Sequence, residues 1–321
     1  MRPISVVISS LRPDRLEETI DSTAMHSDLV EVVVVSPTPP KPRDFVKHVP
    51  VPKPGETGEL TFAQKFNLGT RHASGEYIVY TNDDFHFRSG WATALLKHME
   101  QEKERPYLAA FQMAVKEVIH TRYTAFGMLY ANIGCIRKED LKIIGGLFDE
   151  RYFMYTTDID VSLRVWSKGG KVALCNDVVI DSDRDVDQVV ISERSVFSKG
   201  DKMEASVGKK TYRDFWFSHD HAVFFKIWFP RYFRLFLKNY KRIRPLLTHA
   251  DGVVPPKKQD AGLLKIMMWP VFNMYLNPRI FFARKNKIDF IRNHWVRVVN
   301  RRWSRHDYQL PYAISEVTKG I

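Results

Sequence analysis

Asn82-Asp83-Asp84 closes the apolar run Tyr77–Thr81, and this junction is the stretch of the chain best equipped for chemistry. An apolar, β-branched run of that length fits a buried strand of an α/β sheet. Carboxylates just past the carboxyl end of such a strand stand where open α/β sheets bind ligands. Two adjacent acids repel one another unless a cation or an array of donors lies between them, and oxygen ligands suit Mg²⁺ or Mn²⁺. A solvated Asp pair at a strand end is the plainer alternative.

The elements that would carry this pair are legible on either side of it. Ile4–Ser9 and Glu31–Val35 read as buried strands joined by a helix over Pro13–Ser22, which makes a βαβ opening. Seven prolines between Pro37 and Pro54 demand loop or extended chain. Leu60–Ala73 has helical spacing and leads through Ser74-Gly75 into the Tyr77 strand. Further on, the spacing predicts helices over Trp91–Glu102, Lys138–Ile144 and Ile159–Lys168. Strands are expected over Leu108–Val115, Val172–Cys175 and Val178–Ile180. Asp160 and Arg164 fall one helical turn apart, the spacing of a structural ion pair. Asp181–Thr211 is polar and aperiodic, a candidate mobile loop.

A chain of 321 residues can form one large α/β domain, or a domain with an appended lobe. Two cysteines, Cys135 and Cys175, exclude a disulfide scaffold or a Cys-rich zinc site, and a reducing compartment is the simpler expectation. The opening residues carry too short an apolar run for a signal peptide and read as a first strand. The most apolar window, Leu263–Ala283, is interrupted by charges and prolines and is not expected to span a membrane. Between His221 and Arg305 there are 19 Lys/Arg against three acids, whereas the remainder is nearly balanced. So uneven a division calls for an anionic partner or a wet surface on the basic part.

In order along Pro3–Ile180, these segments resemble the GT-A, family 2 type of glycosyltransferase, in particular rhamnosyltransferase-like bacterial polysaccharide enzymes. Val6-Val7-Ile8-Ser9-Ser10-Leu11-Arg12 stands where such enzymes begin their nucleotide pocket. Lys65-Phe66-Asn67-Leu68-Gly69 and Ala73-Ser74-Gly75-Glu76-Tyr77-Ile78-Val79 are similar to the family's "R-N-x-G … A-x-G-E-Y-I" passage. Asn82-Asp83-Asp84 falls on its metal-binding "DxD". Gly145–Phe153 is similar to "G-G-F-D-E-R-F", and Asp158–Arg164 followed by Gly169-Gly170-Lys171-Val172 resembles "E-D-x-D-L-S-x-R … G-x-x-V".

The resemblance implies an α/β fold of GT-A type, with a Rossmann-like, mostly parallel sheet. It places a catalytic domain over 1–214, with a nucleotide-sugar half to about 106 and an acceptor half from 107. A basic, aromatic, helical region follows over 215–321. It implies an inverting, metal-dependent transferase moving a sugar from a nucleotide diphosphate to a hydroxyl. Asp84 would hold Mn²⁺ or Mg²⁺, with Asp83 as second choice. Ser9, Ser10, Arg12, Ser36, Lys65, Asn67, Asn82 and Asp83 would line the donor site. Asp158 would be the general base, its other reading being the N-cap of the helix that follows. His219, His221 and Asp181 are candidates to complete the metal shell. This chain departs from the family pattern at Thr157 and Ser36, where acids are usual, and at the Ser9-Ser10-Leu11-Arg12 turn. UDP is therefore only a default beside dTDP or GDP.

From Phe215 the chain interleaves aromatics with Lys and Arg, as in Phe224, Phe225, Trp228, Arg231, Arg234 and Lys238. Long basic stems beside aromatic rings suit a peripheral helix on anionic lipid. The expected setting is cytoplasmic, at the inner face of a membrane, with a glycan or lipid-linked glycan as acceptor. The alternative is that the aromatics pack this lobe onto the catalytic domain while the bases solvate it. A catalytically silent nucleotide-sugar binder or scaffold of the same fold, or a basic module for nucleic acid or an acidic partner, are the rival readings. No helix-turn-helix, RNP-like or zinc-finger spacing supports nucleic-acid binding.

Overall fold

The computed structural model describes residues 2–53, 56–115, 118–120, 123–125 and 128–182, together with parts of 219–242. Its elements are β1 (Ile4–Ser9), α1 (Pro13–Thr23), β2 (Val30–Ser36), β3 (Val46–Pro50), α2 (Phe62–His72), β4 (Tyr77–Asn82) and β5 (Phe85–Phe87). They continue with α3 (Trp91–Gln101), β6 (Tyr107–Val115), β7 (Val118–His120), β8 (Tyr123–Ala125), β9 (Met128–Tyr130) and β10 (Gly134–Arg137). The last are α4 (Asp140–Ile144), α5 (Thr157–Ser167) and β11 (Lys171–Ser182).

Nine strands form one sheet in the order β3-β2-β1-β4-β10-β6-β11-β5, with β7 paired to β6; β8 and β9 form a separate hairpin. The pairs β1–β2, β1–β4, β2–β3 and β6–β11 are parallel, while β10 runs antiparallel between β4 and β6. Alternate residues of each strand serve opposite faces. Val7, Val33, Val35, Ile78 and Tyr80 join one core with α2, α4 and α5, while Ile4, Val6, Ile8, Val32 and Val34 join the other with α1 and α3. A sheet covered on both faces needs strands apolar at nearly every position, and these runs supply them.

Gly69 lets α2 lie directly on the sheet, because a Cβ there would come within 2.5 Å of Val7 and 2.9 Å of Val35. The proline-rich stretch contains an edge strand, β3, where the absent N–H of Pro50 costs no inner ladder bond. β11 is one strand interrupted by a bulge between Cys175 and Val179, where periodicity predicts two. α5 begins two residues earlier than its apolar spacing suggests, so Asp158 lies inside its first turn and Thr156 is the N-cap.

The start of the basic region packs on the α/β body. Val223, Phe224, Trp228 and Leu235 are buried in the same core as α2 and α5. Two of the aromatics read as candidate lipid contacts, Phe224 and Trp228, therefore face inward. No helix among the described residues is long and apolar enough to cross a membrane. Of the polar stretch Asp181–Thr211, Asp181 and Ser182 end β11; 183–211 and all residues after 242 lie outside the described residues.

Candidate functional site

β2 lies on one side of β1 and β4 on the other, so the chain reverses its direction of winding between β1 and β4. The crevice at the carboxyl ends of two such strands is where open α/β sheets take ligands. Ser9 of β1 is in register with Asn82 of β4. Ser10 and Arg12 therefore leave one lip of the crevice, and Asp83 and Asp84 leave the other.

Both acids are buried, Asp83 at 4 % and Asp84 at 5 % exposure. Asp83 is drawn across the crevice. Its Oδ2 accepts from Ser10 Oγ at 2.6 Å and from Arg12 Nε at 3.1 Å, and its Oδ1 is bonded by the Arg12 guanidinium. Asp83 is thus engaged by Arg12 and Ser10, and Asp84 follows it on the same lip of the crevice. Among the described residues no group of three His, Cys, Asp or Glu could hold a metal. A single carboxylate still fits a hard cation that takes its other ligands from substrate phosphates and water.

The remaining expected donor and metal residues divide. Asn82 is half-buried at the end of β4. Ser36 ends β2 and donates from Oγ to the Thr38 carbonyl at 2.6 Å. Lys65 is buried in α2, and burial pushes its amine below the ordinary lysine range against the opposing pull of Glu59. Asn67 ties α2 to the loop after α4. Its Nδ2 donates to the Phe148 carbonyl at 2.8 Å and to Glu150 Oε1 at 3.0 Å, and its Oδ1 accepts from the Phe148 amide at 3.0 Å. Asp181, across from His86 in the pairing of β11 with β5, is held side-on by Arg88 at 2.9 and 2.6 Å. That ion pair argues against Asp181 as a metal ligand. His221 lies outside the described residues.

The surroundings of Asp158, the expected general base, are assembled differently. Asp158 is half-buried, and its Oδ1 accepts from the Ile159 amide at 2.9 Å. Its charge reaches the interior: burial first, and then the Asp158 carboxylate, push the Tyr80 hydroxyl well above the ordinary tyrosine range. Tyr80 belongs to β4 and donates to the Ala131 carbonyl at 2.8 Å. Asp158 is therefore within electrostatic reach of Tyr80, a residue of the strand that leads to Asp83 and Asp84.

Immediately before α5, Thr156 takes φ 63°, a left-handed conformation that is costly for a β-branched residue. Asp220 holds the preceding loop. Its completely buried carboxylate accepts from the amides of Phe153, Met154 and Tyr155 at 2.9, 2.8 and 2.7 Å. Burial pushes Asp220 above the ordinary carboxylate range, against the pull of His219 and these amides. His219 stacks on Phe153 at 4.1 Å between centroids and contacts Asp220 through Nδ1 at 3.0 Å. Asp160 completes the joint, accepting from Arg164 at 2.7 Å, Tyr152 at 3.2 Å and Trp228 Nε1 at 2.8 Å. The expected i, i+4 pair is present, and Trp228 adds a partner from beyond the loop. Asp220 and Trp228 are the residues that sequence reasoning missed. In Ser218-His219-Asp220-His221 the histidines draw attention, whereas the acid between them does the anchoring.

Solved structures with the same arrangement of elements include the Staphylococcus aureus protein TarS. The match has a TM-score of 0.53 at 11 % identity and covers 97 % of this chain and 50 % of that one. Residues 1–349 of TarS in complex with UDP-GlcNAc match with a TM-score of 0.51 at 12 % identity, covering 93 % of this chain and 80 % of the other. The chain has a GT-A-type glycosyltransferase fold. This chain spans half the length of the longer TarS structure. No protein-family model matches the sequence, and no curated protein matches it.

Proposed function

We propose that the chain is an inverting glycosyltransferase that moves a sugar from a nucleotide diphosphate to a hydroxyl of a glycan or lipid-linked acceptor. One observation carries this reading. Ser10, Arg12 and Asp83 meet at the β1–β4 crevice with Asp84 next in the chain, and the half-buried Asp158 lies in the first turn of α5, within electrostatic reach of Tyr80 in β4. The structure of TarS 1–349 with UDP-GlcNAc supports a nucleotide-sugar donor.

The chemistry divides between the two sides. A sugar nucleotide departs as a diphosphate, and the negative charge that develops must be met by positive groups. A divalent ion, Mn²⁺ or Mg²⁺, would supply Lewis-acid neutralisation there, and Asp84 is the residue that would hold it. Ser9, Ser10 and Asn82 are placed to meet hydroxyl and phosphate oxygens along the crevice lips. Asp158 accepts the proton of the attacking hydroxyl. The first turn of α5 favours its carboxylate form, because the helix N-terminus carries partial positive charge. Its bond to the Ile159 amide fixes the rotation of the carboxylate. A single displacement with the base opposite the leaving group inverts the anomeric carbon.

Bacterial surface polysaccharide synthesis at the inner face of a membrane is the setting we propose. Exposed Lys226, Arg231, Arg234 and Lys238 line the outer side of the 219–242 segment and support contact with anionic lipid, each base contributing about 1 kcal/mol near such a surface.

The rival is a silent nucleotide-sugar binder, favoured by Thr157 and Ser36 standing where acids are usual. Incubating the purified full chain with UDP-, dTDP- and GDP-sugars, Mn²⁺ and glycan acceptors separates the two. Release of nucleoside diphosphate that depends on acceptor supports the transferase. Donor binding without release supports the binder.

A further inference from the structure

At the β4 end Asp83 reaches across the crevice, where it accepts from Ser10 and, side-on, from the guanidinium of Arg12. The Asp83 side chain is 6 % exposed and that of Arg12 27 %, so the ion pair has a buried anionic end and a more open cationic end. Arg12 is held from its backbone as well. It precedes α1 in an extended conformation, its amide donates to Ser10 Oγ at 3.0 Å, and its carbonyl accepts from the same hydroxyl at 3.3 Å and from the Leu16 amide at 3.0 Å. A guanidinium fixed at both backbone and side chain has little freedom left to lose when an anion binds.

We propose that Arg12 is a ligand of the donor's diphosphate and that Asp83 is its positioning residue. The inference rests on the reading of the chain as a nucleotide-sugar enzyme and says how that donor's charge is met. A planar, permanently charged fork suits phosphate oxygens better than a point charge does. It stands on the pair whose acid adjoins Asp84 in the chain, so a protein cation and the proposed ion position flank one crevice. With that cation built in, nucleoside diphosphate binds measurably without any divalent metal.

Two other accounts of Asp83 predict different outcomes. Were Asp83 a metal ligand, its amide variant would weaken binding only when metal is present. Were it merely a negative charge in the pocket, its removal would strengthen anion binding. Positioning predicts weaker binding in metal-free buffer, although the site has become more positive.

The experiment is calorimetric titration of the full chain and its D83N and R12Q variants with UDP, dTDP and GDP, in EDTA and in Mn²⁺. Expected are binding of at least one diphosphate by the wild-type chain in EDTA and weakening of about tenfold or more in R12Q under both conditions. D83N should weaken binding several-fold in EDTA. Should D83N fail to fold, R12Q, altered at the more open side chain, carries the test alone. Unchanged affinity in R12Q, tighter binding in D83N, or wild-type binding only with Mn²⁺ would each overturn the proposal. Absence of binding to all three diphosphates in Mn²⁺ would sink the transferase reading, and this inference with it.

Discussion

The two lips of the donor crevice and the acceptor-side turn before α5 are built on opposite plans. Ser10, Arg12, Asp83 and Asp84 leave neighbouring parallel strands, so sheet register alone brings them together. Asp158 depends on a loop whose amides are bonded by a carboxylate more than sixty residues later, and on an acid in its own helix that is capped by Trp228. The proposed donor residues thus sit where strand register holds them, whereas the proposed base sits beside a joint made with Asp220 and Trp228. Damage to the first should change affinity and chemistry without unfolding the chain, whereas damage to the second should cost stability as well.

The largest effects separate the two sides functionally. Asp84→Ala should abolish transfer and weaken nucleoside diphosphate binding in Mn²⁺. Asp158→Asn should lower kcat by about 10²–10⁴-fold while leaving diphosphate affinity within about twofold, since only the general base is lost. Full activity in either variant, measured alongside its melting curve, removes that assignment.

Next in size are the joint's own anchors. Asp220→Ala leaves three amides without their acceptor, that of Phe153 buried, and should cost about 3 kcal/mol or more in denaturant unfolding. Trp228→Phe removes one bond to a buried carboxylate and should cost about 1.5–3 kcal/mol. Both should lower transfer by displacing Asp158 and leave diphosphate affinity nearly unchanged. Equal losses of donor affinity and transfer would erase the distinction between the two sides.

The smallest effect belongs to the far end of the sheet. Burial raises the Glu31 carboxyl, but bonds from Ser5, Ser74 and the Gly75 amide outweigh it and hold the group below the ordinary value of 4.5. A depressed folded-state pKa contributes stability that is complete above the unfolded value and is lost as pH falls through the folded one. Urea midpoints of Glu31→Gln should therefore fall behind wild type above pH 4.5 and close on it as pH drops below that value. Both sites should be indifferent to this change at neutral pH.

This contrast also explains what could be read from residues alone. β1, β2 and β4 are continuous apolar runs, and α1, α2 and α3 have clear periodicity and, in α2, a Thr61–Gln64 capping box. Their order places the β1–β4 crevice without further information. β10 escaped notice because Gly134–Arg137 is four residues long and antiparallel in a largely parallel sheet. The roles of Asn67 and Asp220 were hidden for a different reason. Each is a polar side chain whose partners are backbone groups of a distant loop, and no periodicity records such a bond. Arg12 was visible as a donor candidate, but its pairing with Asp83 depends on the strand register.

The most direct measurement is the structure of crystals soaked with nucleoside diphosphate and Mn²⁺, using anomalous scattering to locate the ion. A manganese peak at Asp84 with the diphosphate between it and Arg12 is expected. Phosphates bound away from the β1–β4 crevice, or manganese remote from Asp84, would contradict it.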